Sequence, residues 1–218
     1  MVKVTLINLI PRYYDVTKGS VKVDGVDVRD MTQKELRDKL GYVPQKGVLF
    51  SGTIDSNIRY GKPEITDAQV KEAAEVAQAT EFIDTKPEKY ESPVSQGGTN
   101  VSGGQKQRLS IARAIAKDPE IFIFDDSFSA LDFKTDSQLR KALKEYTKDA
   151  TTVIVAQRIS TILGADQIIV LDDGHMAGIG THKELMANCE VYQQIAASQL
   201  SEAELKAGLE ENGKGGEQ

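Results

Sequence analysis

The chain has 218 residues, 39% of them hydrophobic and 28% charged, a composition typical of a globular protein. A net charge of -6 and an isoelectric point near 5.1 argue against a general nucleic-acid-binding surface, and a single cysteine, Cys189, excludes an internal disulfide. No apolar run approaches the ~20 residues of a membrane-spanning helix, so we expect the chain taken alone to be soluble and cytoplasmic.

Apolar residues recur at helical spacing in some segments and cluster or alternate as in strands in others. The predicted helices cover residues 5–10, the segments behind the capping boxes that begin at Thr66 and Ser102, and residues 139–146. The predicted strands are a hairpin over residues 19–28 and buried strands at 41–45, 121–124, 152–156 and 168–171. We expect Lys106, Arg108 and Arg113 to lie on a solvated or interface face of their helix.

The alternation of helices and strands predicts an α/β fold with a mostly parallel sheet. Residues 47–116 are mainly helical and indicate an inserted α-helical subdomain, with a turn-rich linker at residues 92–99. We expect one domain over residues 1–206 and a disordered tail over residues 207–218, which are rich in glycine, glutamate and lysine.

The segment Ser102, Gly103, Gly104, Gln105 stands directly before a predicted helix. Glycines let backbone N–H groups approach a phosphate with no Cβ in the way, and the start of a helix adds the positive end of its dipole. This segment is therefore a candidate phosphate-binding site.

Two carboxylates, Asp125 and Asp126, directly follow the apolar run of residues 121–124. Ligands of open α/β sheets bind beyond the carboxyl ends of the strands, and a carboxylate there can hold Mg²⁺ directly or through water. An isolated Asp-Asp pair would more simply be a solvated strand end or a helix N-cap. The phosphate-binding candidate upstream favours the functional interpretation.

These motifs resemble, in order along nearly the whole chain, those of ATP-binding-cassette (ABC) ATPases, whose fold is a P-loop NTPase core. The sequence VSGGQKQR at residues 101–108 is similar to the signature motif, residues 121–125 to the Walker B motif, and residues 129–132, which end in Asp132, to the D-loop. Gln45 resembles the Q-loop glutamine that touches Mg²⁺, and Gln157 stands where the family has its switch histidine. The resemblance implies ATP and Mg²⁺ as cofactors, with Asp125 and Gln45 as metal ligands.

Residues 48–61, VLFSGTIDSNIRYG, resemble the segment of ABC exporters that docks on the transmembrane domain, and residues 155–186 resemble the exporter C-terminal half. The resemblance implies a multidrug-type exporter, with a transmembrane partner and a location on the cytoplasmic side of the cell membrane.

The N-terminus departs from the family pattern. A phosphate loop reads GxxxxGK[ST] after a strand, whereas the chain begins MVKVTLI. Lys3 matches the lysine and Thr5 the residue after the Ser/Thr, while Val2 and Val4 stand at the final glycine and at the Mg²⁺-binding Ser/Thr. We therefore expect the first strands and the glycine-rich loop to be missing, as in a fragment. Because several charge-assisted hydrogen bonds of about 1.5–3 kcal/mol each would be lost, we expect the chain's own ATP site to bind ATP poorly or not at all.

The catalytic positions depart as well. Asp126 stands where active members have glutamate, one methylene longer, and Gln157 replaces a histidine with a side chain that does not titrate. Together they resemble the degenerate-site subunit of heterodimeric exporters, in which residues 102–105 would complete the ATP site of a second nucleotide-binding domain.

Three functions compete. The first is the ATPase module of an exporter, with degenerate catalytic residues. The second is a non-catalytic remnant or interaction protein that only completes a partner's ATP site through residues 102–105. The third, a soluble ABC ATPase acting on DNA or the ribosome, is disfavoured by residues 48–61 and by the acidic charge. The incomplete phosphate loop favours the second for the chain on its own, whereas the family resemblance favours the first, which is our prediction.

Overall fold

The computed structural model describes residues 2–200, with side chains from residue 5 onward, and the predicted tail at 207–218 lies outside this range. The described residues form two compact units. The first runs from Leu6 to Val155, and the described part of the second comprises residues 2–5 and 156–200. The predicted domain limits, 1–206 with a subdomain at 47–116, stay a prediction.

The first unit alternates helices with short strands. Its elements, with a first helix that begins in the other unit, are α1 (Val2–Asn8), β1 (Lys22–Val23), β2 (Val26–Asp27), α2 (Gln33–Asp38), β3 (Leu40–Val43), β4 (Gly52–Thr53), α3 (Ile54–Ile58), α4 (Asp67–Val76), α5 (Thr80–Asp84), β5 (Pro93–Val94), α6 (Gly103–Ala116), β6 (Ile121–Asp125), α7 (Phe133–Tyr146) and β7 (Thr151–Val155). Short 3₁₀ helices lie at Val28–Asp30, Arg59–Gly61, Lys89–Glu91 and Gln96–Gly98.

The second unit contains α8 (Ile159–Ile162), β8 (Ile168–Asp172), β9 (His175–Gly180), α9 (His182–Asn188) and α10 (Glu190–Gln199). β8 and β9 form an antiparallel hairpin. Ile168 and Val170 of β8 are buried in one cluster with Leu185 and Tyr192 from the two helices that follow.

The centre of the first unit is a parallel three-stranded sheet of order β3-β6-β7. Phe122, Ile123 and Phe124 of β6 are at most 1% exposed because strands flank β6 on both sides and helices cover its faces. The predicted α/β class, the parallel sheet and the strand at 121–124 are thereby confirmed. The carboxyl ends of β3 and β6 meet at one edge, which positions the site.

Side-chain caps define where the helices begin. Capping boxes start five of the described helices. In each box the hydroxyl of the cap residue accepts from the N–H of the third helical residue, whose side chain accepts from the N–H of the cap residue. They begin at Thr32, Thr53, Thr66, Ser102 and Thr181. The two predicted boxes, at Thr66 and Ser102, are confirmed.

Two predicted strands differ from expectation in their burial. Thr151 and Thr152 are exposed at the start of β7, which is one of the two outer strands of the sheet among the described residues. β8 pairs with β9, and Ile169 is 50% exposed because the α9–α10 layer covers the other face of the hairpin. β9 is not predicted from the sequence, because its glycines obscure the strand pattern. None of the described helices is long and apolar enough to cross a membrane.

A partly buried hydrogen bond makes the second unit sensitive to acid. His182 Nδ1 lies 2.8 Å from Tyr192 Oη, and burial lowers the pKa of His182 below its ordinary value of 6.5. The unfolded chain therefore binds a proton more readily than the folded one, so stability falls as the pH drops through about 6.5. We expect a lower melting temperature at pH 5.5 than at pH 7.5 and a smaller difference in His182→Gln. His175, the chain's other histidine, is exposed, and an equal reduction in His175→Gln would contradict the assignment.

Candidate functional site

Asp125 and Asp126 lie at the carboxyl end of β6, as predicted. They are 6% and 8% exposed, and the Asp126 N–H donates to Val155 O of β7 at 2.9 Å. Asp126 has a φ of +46°, a left-handed conformation that aspartate tolerates better than most residues. The Ser129 hydroxyl donates to Asp126 O at 3.0 Å, which closes the turn after the strand.

Gln45 and Asp126 are brought into direct contact. Gln45 follows β3, and its Nε2 donates to Asp126 Oδ2 at 3.0 Å. The two residues are 81 positions apart in the sequence, and they meet because β3 and β6 are parallel neighbours that end at the same edge. Gln45, Asp125 and Asp126 thus form one polar cluster, which we call the strand-end cluster.

Tyr42 belongs to this cluster and is missed by the sequence. Its hydroxyl lies 3.3 Å from Asp125 Oδ2 and 3.1 Å from Asn8 Oδ1, so one proton is shared between two acceptors. Burial raises the pKa of Asp125; the Tyr42 hydrogen bond opposes this rise, and the neighbouring Asp126 charge adds to it. A desolvated carboxylate beside a second one is stabilised by a cation.

The donor atoms of the strand-end cluster suit Mg²⁺. Magnesium takes hard oxygen ligands, and in nucleotide sites it uses one or two carboxylates together with water and phosphate oxygens. Asp125 carboxylate and Gln45 amide oxygens are donors of this kind. Within residues 2–200, no three His, Cys, Asp or Glu side chains form a metal-binding group. The residues therefore fit a metal that arrives with a nucleotide better than one held by protein ligands alone.

The candidate phosphate-binding segment stands at the start of a 14-residue helix, α6. Ser102 Oγ accepts from the Gln105 N–H at 3.3 Å, and Gln105 Oε1 accepts from the Ser102 N–H at 3.1 Å. Ser102 and Gly103 are exposed, and a Cβ added at Gly103 would meet no atom within 4 Å. The first turn of α6 is thus open to a ligand.

Gly104 brings this segment beside the residues that resemble the D-loop. A Cβ added at Gly104 would lie 3.5 Å from Ala130 O. Asp132 is exposed and caps α7, because its Oδ1 accepts from the Thr135 N–H at 3.0 Å. That hydrogen bond lowers the pKa of Asp132, so the carboxylate is charged at neutral pH.

Arg113 contradicts the expectation of a solvated or interface face. Its guanidinium donates to Asn57 O and Asn57 Oδ1 at 2.8 Å each and to Val48 O at 2.9 Å. It also lies 5.1 Å from the Phe50 ring centre and 5.4 Å from that of Tyr60. Burial lowers its pKa to about 10, so it stays a cation. The side chain ties residues 48–60 to α6, where an amphipathic helix pattern alone suggests an outward position.

Arg108 is also only partly solvated. Its guanidinium donates to Gln78 O at 2.6 Å and lies 4.7 Å from the Phe82 ring centre. Burial lowers its pKa. Arg108 therefore joins α6 to the connection between α4 and α5.

The remaining predicted site residues belong to the second unit. The Gln157 carbonyl accepts from Gln199 Nε2 at 2.9 Å, and Thr5 is exposed on α1. The Lys3 side chain lies outside the described part of the structure. Their positions relative to the strand-end cluster stay a prediction.

Comparison with protein families gives a match between residues 3–129 and a model described as "ABC transporter". An uncharacterized ABC transporter ATP-binding protein of Mycobacterium tuberculosis is 48% identical over 200 residues, covering 90% of the chain and 34% of the relative. A putative multidrug export ATP-binding/permease protein of Staphylococcus aureus is 47% identical over 197 residues, with the same coverage.

Among solved structures, a bacterial Atm1-family ABC exporter with ATP bound is similar, with a TM-score of 0.88 and 40% sequence identity. The match covers 92% of the chain and 35% of that structure's chain. The chain therefore spans about one third of the length of these relatives.

Proposed function

The chain belongs to the ABC transporter family of ATP-binding domains, and on this basis we propose that it is the nucleotide-binding module of an ABC exporter. The observation that carries the proposal is the hydrogen bond from Gln45 to Asp126 beside Asp125, in the same unit as the open first turn of α6. The module would couple hydrolysis of ATP to export of a solute, with the chain on the cytoplasmic side of the membrane.

Each site residue has a role in this proposal. Asp125 and Gln45 would hold Mg²⁺, which when bound neutralises phosphate charge, and Asp126 would orient the attacking water. Gln157 would contact the γ-phosphate, and Lys3, Thr5 and Asp132 would contribute to nucleotide binding. The buried, mutually repelling carboxylates support these roles, because they are costly without a cation.

We further propose a second nucleotide-binding domain as partner, in a heterodimer. Residues 102–105 would contact the nucleotide held mainly by the partner, a role supported by the exposed, side-chain-free approach to the α6 N-terminus. Asp126 supports a slow site in this chain, because its carboxylate is one methylene shorter than glutamate and is engaged by Gln45.

The proposed transmembrane partner has a docking surface of suitable chemistry. Val48, Phe50 and Tyr60 are 51%, 41% and 59% exposed, and the two rings stack with centres 4.2 Å apart. We call these three residues the aromatic patch. The Arg113 guanidinium packs against both rings, so the rings are held in place before any partner binds. The Staphylococcus aureus relative, whose name includes a permease, supports this partner.

The alternative function, a non-catalytic protein that only completes a partner's site, differs in one measurable property. The module binds Mg–ATP through its own Asp125, whereas the non-catalytic protein does not. Calorimetric titration of the purified chain with Mg–ATP, with Asp125→Asn beside it, separates the two. We expect weak Mg²⁺-dependent binding, which Asp125→Asn should weaken by at least a further 10-fold. A chain that melts cooperatively but does not bind would support the alternative.

Asp126→Glu is expected to raise the rate of ATP hydrolysis. A misplacement near 1 Å costs on the order of 100-fold in rate, so restoring the methylene should recover part of that factor. The melting temperature should fall slightly, because glutamate tolerates the φ of +46° less well than aspartate. Steady-state hydrolysis by the chain assembled with its partner domain checks the rate. Asp126→Asn, which removes the carboxylate, is the control. A hydrolysis rate no higher in Asp126→Glu than in the parent would contradict the proposal that Asp126 orients the attacking water.

A further inference from the structure

One buried glutamine on α6 holds both sides of the Gln45 loop. Gln107 is 1% exposed, and its Nε2 donates to Pro44 O at 3.0 Å while its Oε1 accepts from the Gly47 N–H at 2.8 Å. The carboxamide thus bonds to one backbone group on each side of residues 45 and 46. The loop therefore cannot move away from α6 without leaving buried polar groups unpaired.

The loop lies directly on the α6 backbone. A Cβ added at Gly47 would lie 2.7 Å from Lys106 O and 2.8 Å from Ser110 Oγ. Only glycine fits such an approach without a shift of the loop. Hydrogen bonding and close packing thus attach the loop to the same turns of the helix.

The attachment links two parts of the molecule that carry different chemistry. On one side, Gln45 donates to Asp126 in the strand-end cluster. On the other, α6 begins at residues 102–105, about one turn before Gln107. A displacement of Gln45 would therefore be passed to the start of α6 through a single carboxamide.

We propose that Gln107 is a positioning residue that holds Gln45 against Asp126 and keeps the Gln45 loop in register with the first turn of α6. The positioning itself depends only on the described contacts. Its consequence for ATP turnover rests on the proposed function. In that setting, Gln107 makes the strand-end cluster and residues 102–105, which would face the second domain, move together.

A size-matched variant removes the hydrogen bonds without opening a cavity. Gln107→Met keeps the length and most of the volume of the side chain, and Gln107→Glu keeps the acceptor for the Gly47 N–H while it loses the donor to Pro44 O. Gln138 is an exposed glutamine on α7, so Gln138→Met is the matched control. Thermal melts of all three variants establish that each one folds.

The first measurement needs no nucleotide. In Gln107→Met we expect hydrogen exchange of the Gly47 amide to speed up on the order of 10-fold, as for loss of about one hydrogen bond. The NMR signal of the Gln45 side-chain amide should move toward that of a free amide. Gln107→Glu should keep Gly47 protected and still shift Gln45. Unchanged Gly47 exchange and Gln45 signal in folded Gln107→Met would overturn the proposal.

The second measurement tests the consequence for turnover. Gln107→Met should leave the KM for ATP within about 3-fold and lower kcat at least 10-fold, because it misplaces catalytic groups but removes no contact to nucleotide. A rise in KM as large as the fall in kcat would indicate only a structural role for Gln107 and would overturn the coupling between the Gln45 loop and the start of α6. If the parent chain neither binds nor hydrolyses Mg–ATP, the proposed function fails. The nucleotide-free measurement then still decides whether Gln107 positions Gln45.

Discussion

Gly103→Asp is expected to lower the rate of ATP hydrolysis sharply at the site that we propose the chain shares with a second nucleotide-binding domain, and to leave the fold intact. A Cβ at Gly103 meets nothing within 4 Å, and the residue is exposed at the first position of α6. Acidic residues are tolerated or favoured in a helix's first turn. A carboxylate at that place would nevertheless repel a phosphate and block the N–H groups that bind it. We expect a loss on the order of 100-fold, the effect of removing one preorganised donor to a reacting oxyanion.

The assay mixes the chain with a nucleotide-binding domain of a related exporter that has an intact catalytic glutamate, and follows phosphate release. Gly164 is a matched control, because a Cβ there also meets nothing within 4 Å. Gly164→Asp should leave the rate unchanged. The melting temperature of Gly103→Asp should stay within about 2 °C of the parent, as for a surface substitution. An unchanged rate in folded Gly103→Asp would show that residues 102–105 do not contact nucleotide.

Arg113→Leu is expected to cause a large loss of stability in the first unit. The guanidinium donates to Val48 O and Asn57 O, and it is one of two donors to Asn57 Oδ1, which also accepts from the Phe50 N–H. An apolar side chain would remove these bonds. A hydrogen bond to a charged group contributes about 1.5–3 kcal/mol, so we expect the loss of the two bonds to backbone carbonyls to cost about 3 kcal/mol or more. For a chain of this size, that corresponds to a fall in melting temperature of roughly 6–12 °C.

The same substitution should loosen the aromatic patch. Phe50 and Tyr60 lose the guanidinium that lies over their rings, and Asn57 loses one of its hydrogen-bond donors. Hydrogen exchange over residues 48–60 should therefore increase more than exchange in β6. Arg113→Lys keeps the charge but not the planar fork and should recover only part of the stability. A melting temperature of Arg113→Leu equal to that of the parent would contradict the role of Arg113 in tying residues 48–60 to α6.

The sequence predicted the elements whose signals are local. The capping boxes at Thr66 and Ser102, the hairpin at residues 19–28 and the apolar strand β6 each depend on neighbours within a few residues. The strand-end position of Asp125 and Asp126 follows from β6 alone. The family resemblance added Gln45 to them as a metal ligand. Its side chain lies 3.0 Å from Asp126 in the structure, and the metal role stays a prediction.

The residues that the sequence analysis misjudged or did not single out make contacts over long separations. Arg113 reaches Asn57 across 56 positions, Gln107 reaches Gly47 across 60, and Tyr42 reaches Asp125 across 83. A helix pattern reports which face of a helix is apolar, and it assigns a charged or amide side chain to the solvent by default. It contains no information on which backbone carbonyls another segment will bring to that face.

The sequence by itself therefore determined the α/β class, the starts of the helices with capping boxes and the carboxylates at the end of β6, because hydrophobic period and side-chain caps act within a few residues. Only the tertiary structure decided that Gln107 holds the Gln45 loop on α6 and that Arg113 orders the aromatic patch. Buried polar groups must find partners wherever the folded chain supplies them, and that supply is set by the packing of β3, β6 and α6 together.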